Sequence, residues 1–407
     1  MGVERPGEES GRATPDGADG ARTGHWPGVG DFDDLVRKYR RELHVYCYRM
    51  LGSFDEAEDH VQEVLLRAWR SREGFQGQSS PRTWLYRVAT NACLDTLRHD
   101  ARRAVPAPSS GSVSQGPSVA AMPWVQPYPD SLLDEIAANQ PGPEAVTVTR
   151  ETISLAFLAA IQLLPTRQRA VLILRDVVSW PAAEVAELLN TSIPAVNSAL
   201  QRARATLRNR WPAGRLDWAP AAAPDPGQRN LLQRFIAAHE QADPEALIAM
   251  LRHDIRLAIS PQVGEWSGQQ QVGDALRDGM TSLGQWRMLP IMANRQPAAA
   301  GYLRRPGETA FSPFVLAVLR HEDGQLTEIA AFEQSSMFTA FGLPARLLQQ
   351  RTSRMGQLRQ DKAQQGDALD QIHLRPGHSD RTRFSKTGPG SMRRDKDTTA
   401  QCPPHPI

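Results

Sequence analysis

Cysteine is scarce in this 407-residue chain: Cys47, Cys93 and Cys402 are the only three. They lie far apart, form no CxxC pair, and join no Cys/His cluster with zinc-like spacing. A sparse, odd count excludes a disulfide-stapled secreted scaffold and leads us to expect a reducing cytoplasm. Long apolar runs are also missing. No stretch approaches the roughly 18 uninterrupted apolar residues of a spanning helix, so no membrane span is expected. The N-terminus lacks the apolar core flanked by basic residues that marks a signal peptide. Nor is there an excess of one charge: 47 basic residues face 45 acidic ones, a formal net charge of +2. Bulk charge therefore announces no nucleic-acid binding, and any such surface must come from local segregation.

What is present divides the chain. Residues 1–30 carry Gly, Glu, Asp and Pro with almost no apolar periodicity and read as a disordered leader. Residues 31–103 read as helical throughout. Residues 104–142 form a Pro/Ser/Gly/Ala-rich linker. Within it, Trp124-Val125-Gln126-Pro127-Tyr128-Pro129-Asp130 is too aromatic for a pure spacer and is expected to dock on a neighbouring domain. A second helical block covers 143–212, and a Pro/Ala stretch follows at 219–227. Residues 228–345 mix helices with alternating runs, and 351–407 read as a disordered basic tail. There is no internal repeat.

In the first block, Phe54 to Trp69 places Ala57, Val61, Val64, Leu65 and Ala68 on one helical face. Asp55, Glu58, Asp59, Gln62 and Glu63 occupy the other. An acidic face this dense repels phosphates, so its partner should be a protein; a plain solvated face is the alternative. The next helix, Pro81 to Arg98, has Pro81 in its first turn. Trp84, Leu85, Val88, Ala89 and Ala92 make its apolar stripe. Thr83, Arg87, Asn91 and Arg98 lie opposite, and Arg82, Arg102 and Arg103 add positive charge. Aromatic rings interleaved with Arg and Asn suit unstacked bases held against a phosphate backbone. The alternative is that Trp84 and Tyr86 are core aromatics.

Together, DEAEDHVQEVLLRAW and PRTWLYRVATNACLDTLR resemble conserved region 2 of the sigma-70 family, most closely its extracytoplasmic-function group. The resemblance spans about 70 residues, with both motifs in order at family spacing. It implies that Asp55, Glu58, Asp59, Gln62 and Glu63 bind core RNA polymerase, a partner engaged through its β′ and β subunits. It also implies that the loop Gly74–Ser80, with Arg82, Trp84, Tyr86, Arg87 and Asn91, faces the melted −10 strand of promoter DNA.

The second block ends in a helix-turn-helix pattern. Leu164-Pro165 starts a helix over Arg167 to Val177, and Pro181 opens a short one carrying Val185, Leu188 and Leu189. Asn190-Thr191-Ser192 makes a turn with Ser192 as N-cap. The long helix from Ile193 buries Val196, Leu200, Ala203 and Leu207. Asn197, Gln201, Arg204 and Arg208 repeat that spacing one residue on, flanked by Ser198 and Arg202. Amides and guanidinium groups on one face are what reads purine edges and grips phosphate in a major groove. The segment resembles sigma region 4, which implies that Asn197, Ser198, Gln201, Arg202, Arg204 and Arg208 read the −35 element. The linker in turn resembles that of a subgroup carrying an extra C-terminal domain.

In the last block, helical patterns at Asn230–Gln241 and after Asp243-Pro244-Glu245 precede strand patterns at Ile255–Ile259, Trp286–Ala293, Phe314–Arg320 and Leu326–Phe332. A helical patch at Gln269–Gly279 interrupts them, and a turn at His321–Gly324 makes the last two a hairpin. This order predicts an α+β cone that resembles the SnoaL-like fold. The predicted architecture is thus multidomain, two all-α domains plus an α+β cone. His239, Asp254, Trp266, Trp286, Arg287, Asn294, Glu328 and Glu333 are the polar and aromatic candidates there. No acid/base pair at a diagnostic spacing appears. No enzymatic activity, cofactor or metal is expected, although a small ligand is a possible partner of this domain. Two rival functions stand beside sigma activity: a helix-turn-helix regulator working without polymerase, and a small-molecule enzyme fused to a DNA-binding module.

Overall fold

A computed structural model describes residues 29–75, 79–100, 119, 122–139, 153–210, 226–261 and 264–348. The leader, most of the Gly74–Ser80 loop's centre, parts of the linker and the basic tail fall outside those residues.

Three helices build the first block: α1 (Val29–Leu51), α2 (Phe54–Ser71) and α3 (Pro81–His99). The starts of α2 and α3 have local causes. Ser53 Oγ accepts from Glu56 N at 3.2 Å and caps α2, and Ser80 Oγ accepts from Thr83 N at 3.1 Å ahead of Pro81 in α3. Helix α1 ends where Gly52 turns with φ +83°, a backbone conformation that side chains rarely adopt. A Cβ there would also meet Gln162 Cδ at 3.2 Å and the Trp124 ring at 3.4 Å. The α2 stripe Ala57, Val61, Val64 and Ala68 is buried as the periodicity requires.

After α4 (Asp130–Asn139), the second helical block comprises α5 (Leu155–Gln162), α6 (Thr166–Leu172, continued by a π-turn over Ile173–Val177), α7 (Ala182–Leu188) and α8 (Ile193–Arg210). Asn190, at φ +48°, turns the chain between α7 and α8. Ser192 Oγ accepts from Ala195 N at 3.3 Å, the expected cap. Buried Arg169 joins the two blocks. Its Nη1 donates to Met50 O at 2.6 Å and to Gln162 Oε1 at 2.6 Å, while Gln162 Nε2 donates to Arg49 O at 3.1 Å. The carbonyls left without partners at the end of α1 thus find donors in the second block.

The C-terminal block runs α9 (Pro226–Glu240), α10 (Pro244–Ile248), β1 (Leu251–Ser260), β2 (Gly264–Ser267), α11 (Gln269–Ser282), β3 (Gln285–Ala293), β4 (Gln296–Arg304), β5 (Ala310–Glu322), β6 (Gln325–Phe332), α12 (Met337–Ala340) and β7 (Leu347–Leu348). The strand order is β2-β1-β6-β5-β4-β3, with β7 beside β5. The β1–β6 pair is parallel and the other pairs are antiparallel. This is the α+β fold expected. Asp323 and Gly324, both at positive φ, make the β5–β6 hairpin turn.

Sequence patterning did not indicate β4, and its composition explains why. Gln-Pro-Ala-Ala-Ala-Gly-Tyr-Leu-Arg is poor in strand formers and does not alternate. Its residues are nonetheless buried along nearly the whole strand. The sheet is covered on both sides: Ala299 packs with the cone's own interior, while Ala298, Ala300 and Tyr302 join the apolar cluster that includes the helical blocks. Gly301 has no room for a side chain, since a Cβ would lie 2.9 Å from Val315 Cγ1 and 3.2 Å from the Trp286 ring.

Candidate functional site

The acidic helix α2 is fastened at its start by the linker. Asp55 is exposed, but its Oδ2 accepts from Gln126 Nε2 at 2.8 Å, and Gln126 Oε1 accepts from Asp55 N at 2.9 Å and Ser53 Oγ at 2.8 Å. Glu58, half-buried, pairs with Arg40. It also lies 3.4 Å from His44 Nε2. Burial pushes His44 down to about 4, so that ring is neutral at pH 7. Glu63 pairs with Arg67 at 2.6 Å, and this guanidinium holds its carboxyl below the usual carboxylate range. Asp59 and Gln62 are exposed. The five acceptors therefore share one helix face, part of it neutralised by Arg40 and Arg67.

The residues expected to face a melted strand are placed less uniformly. Asn91 is exposed, and Trp84 is half-buried with its ring 5.4 Å from that of Phe75. Arg82 Nε donates to Glu42 Oε1 at 2.8 Å. Tyr86 departs from the expectation: it is buried, with its hydroxyl donating to Glu42 Oε1 at 2.8 Å and its ring 4.9 Å from both Tyr46 and Trp180. Trp180, from the second block, covers it, so α3 is enclosed on more than one face. Arg87 Nη2 donates to Glu187 of α7 at 2.7 Å. In this conformation the second block therefore closes over part of the α3 surface.

On α8, Val196, Leu200, Ala203 and Leu207 are buried. Asn197, Ser198, Gln201, Arg202, Arg204 and Arg208 are all exposed, on one polar face. Arg204 makes a two-pronged pair with Asp176, Nε to Oδ2 at 2.9 Å and Nη2 to Oδ1 at 2.7 Å, which raises its pKa further. Arg208 Nε approaches the Arg204 carbonyl at 3.4 Å.

The aromatic linker docks, and the β3–β4 hairpin tip receives it. Asn294 and Arg295 form the two-residue turn, both at positive φ. Asn294 Oδ1 accepts from Tyr128 N at 2.7 Å, and Asn294 N donates to Tyr128 O at 2.9 Å. Its Nδ2 donates to Tyr48 Oη at 2.9 Å and Ile153 O at 2.6 Å. Arg295 N donates to Asp130 Oδ1 at 2.8 Å, and its guanidinium meets Asp134 at 2.6 Å. Tyr128 is fully buried, and its hydroxyl lies 2.8 Å from His44 Nδ1. Gln126 Nε2 also donates to Gln334 Oε1 at 2.7 Å. One hairpin tip thus holds α1, the linker and the start of the second block together. Asn294 stood among the candidates for a cone active site; the structure sets it to this joint. The only sequence signal for the joint was the aromatic content of the linker.

Of the other cone candidates, His239, Trp266, Trp286 and Glu333 line one pocket, which is open to solvent. Asp254 pairs with Arg252, Arg287 lies 3.7 Å from Glu240, and Glu328 sits between Arg256 and Arg320 at 3.5 and 3.4 Å. Among the described residues no group of three His, Cys, Asp or Glu could hold a metal ion, and no helix is long and apolar enough to cross a membrane.

Known proteins resemble this chain in sequence. The family profile for Sigma-70 region 2 matches residues 35–103, and that for Sigma-70, region 4 matches 154–207. The chain is 42% identical over 327 residues to the ECF RNA polymerase sigma factor SigG of Mycobacterium tuberculosis, covering 77% of this chain and 84% of that protein. An alignment of that length extends beyond the two helical blocks. It is 30% identical over 177 residues to the ECF RNA polymerase sigma factor SigW of Bacillus subtilis, covering 44% of this chain and 87% of SigW. Among solved structures, the extracytoplasmic function sigma factor SigJ of Mycobacterium tuberculosis aligns with a TM-score of 0.49 at 21% identity, over 78% of this chain and 100% of that one. With both sigma modules in order and a relative of this identity across most of its length, the chain belongs to the ECF RNA polymerase sigma factor family.

Proposed function

We infer that this protein is an alternative sigma factor that binds core RNA polymerase and directs it to specific promoters. One observation carries the reading: a single chain presents an acidic helix face on α2 and, apart from it, an exposed amide and guanidinium face on α8. A helix-turn-helix regulator acting alone needs only the second.

The assigned roles follow from chemistry. Asp55, Glu58, Asp59, Gln62 and Glu63 offer acceptors to basic groups on polymerase. Asn197, Ser198, Gln201 and Arg204 offer donors and acceptors to base edges of the −35 duplex, with Arg202 and Arg208 beside them for phosphate. Asn91, Trp84, Arg82 and Arg87 serve the −10 strand. Tyr86 acts from within, by packing α3. Because Arg87 and Trp180 tie α3 to the second block, the −10 surface opens fully only when those blocks separate. Binding energy from polymerase supplies that change, by favouring the separated conformation. The work is binding and strand capture in the cytoplasm, with no catalytic step of its own. The cone modulates it, a role supported by the Asn294–Tyr128 joint and by Gln126, which touches both Gln334 of the cone and Asp55 of α2.

Charge reversal on α2 tests the polymerase contact. Asp59→Arg with Glu63→Arg should abolish co-purification with core polymerase and leave duplex binding by α8 unchanged. Retention of polymerase by that variant would contradict the assignment.

A further inference from the structure

Two of the acceptors on α2, Asp55 and Glu58, are already engaged by the chain's own linker. Gln126 is 7% exposed, and both its backbone and its side chain are tied. Its N donates to Gly52 O at 3.0 Å, and its carbonyl accepts from Tyr48 Oη at 2.8 Å. Its side-chain oxygen takes Asp55 N and Ser53 Oγ. Its two amide hydrogens go to Asp55 Oδ2 at 2.8 Å and to Gln334 Oε1 of the cone at 2.7 Å. Asp55 is therefore held through a carboxylate oxygen that a cation on polymerase would have to share.

Glu58 is held at second hand. His44, 1% exposed, stands between it and the linker: Nδ1 lies 2.8 Å from Tyr128 Oη, and Nε2 lies 3.4 Å from Glu58 Oε2. The rings of Phe54 and Tyr128 pack on the imidazole at 4.8 and 5.4 Å and fix its plane. Arg41 acts on the same Tyr128 hydroxyl and can only donate, so the phenolic proton is directed to His44 Nδ1. The ring is neutral, and its own proton then sits on Nε2, facing the Glu58 carboxylate. That N–H and the Arg40 guanidinium hold Glu58 back against α1.

We propose that the docked linker and core polymerase compete for the start of α2, Gln126 occupying Asp55 directly and Tyr128 holding Glu58 through the positioning residue His44. Polymerase binds tightly once the linker has left. The cone sets how easily it leaves, since Asn294 and Gln334 grip the same segment. The proposal rests on the polymerase reading of α2 and adds to it the sign of the linker's effect. A linker that only caps and packs α2 has the opposite sign or none: weakening it would lower polymerase affinity or leave it unchanged.

The affinity of the full-length protein for core polymerase is measured by biolayer interferometry for the wild type and two variants. Gln126→Met keeps the length of the side chain and loses its hydrogen bonds. Tyr128→Phe keeps the ring and loses the proton given to His44. Each should tighten binding about threefold, and the two together about tenfold. Thermal melting identifies any variant that fails to fold. Amide hydrogen exchange on the wild type decides without any variant. On adding polymerase, exchange should slow across α2, residues 54–71, and quicken at Gln126 and Asn294, whose amides bond Gly52 O and Tyr128 O while the linker is docked. Unchanged or weaker affinity in a folded variant, or protection kept at Gln126 and Asn294 while α2 slows, would overturn the proposal. No slowing across α2 would instead remove the polymerase reading on which it stands.

Discussion

The two faces proposed to meet nucleic acid are held in different states. On α8, Asn197, Ser198, Gln201 and Arg202 stand exposed on a helix whose other side is locked into the core. On α3, Arg82 is engaged by Glu42, Arg87 by Glu187, and Tyr86 lies beneath Trp180. A duplex-reading surface can be carried ready-made, because a major groove meets a helix face without reshaping it. A surface for an unstacked strand needs exposed rings and unengaged cations. In water such groups find partners within the chain, and the second block supplies them here.

The largest effect on this arrangement should come from the joint that holds the closed form. Asn294→Ala removes three side-chain hydrogen bonds at a fully buried site and places Ala at positive φ. We expect a loss of about 3–5 kcal/mol in unfolding free energy, measured by urea denaturation. A loss below about 1 kcal/mol would mean that the joint does not hold the blocks.

Acid should come next. His239 is held neutral, its folded pKa depressed from 6.5 to about 4. The unfolded chain takes up a proton first as pH falls. His239 stabilisation is therefore complete above about 6.5 and is lost as pH drops towards 4. Between pH 7 and 5 the wild type should lose about 2 kcal/mol more than His239→Gln, read from urea midpoints at each pH. Parallel profiles would contradict a buried neutral imidazole.

On α8 the comparison sharpens to single residues. Arg204→Ala should cost about 1–3 kcal/mol of duplex binding with the fold intact. Arg202→Ala should lower the slope of log affinity against log salt by about 1. If Arg204 serves only to hold Asp176, its loss would leave −35 selectivity unchanged. The smallest effect should be Glu187→Gln. Losing an exposed pair with Arg87 changes stability by no more than about 1 kcal/mol. It should still raise affinity for a single-stranded −10 oligonucleotide, measured by fluorescence anisotropy.

Much of this was legible in the sequence, for identifiable reasons. The stripes of α2 and α8 were readable because each helix has one dry face and one wet one. Ser192 and the Asp323-Gly324 turn were readable because their backbone roles demand those residue types. Tyr86 was misplaced because α3 is buried on more than one side, so periodicity cannot separate core from contact. Strand β4 was missed because double-sided burial beside Gly301 selects small residues, which erases alternation. That the aromatic linker docks was legible, but its partner Asn294 was not. The pairing depends on residues 166 positions apart meeting, and nothing local in either segment specifies the other.

The most direct test is run-off transcription with purified core polymerase on a promoter library, with and without this protein. We predict that the protein confers defined start sites, dependent on the acidic face of α2 and on Asn197, Gln201 and Arg202 of α8. Start sites indistinguishable from those of core polymerase alone would contradict the account.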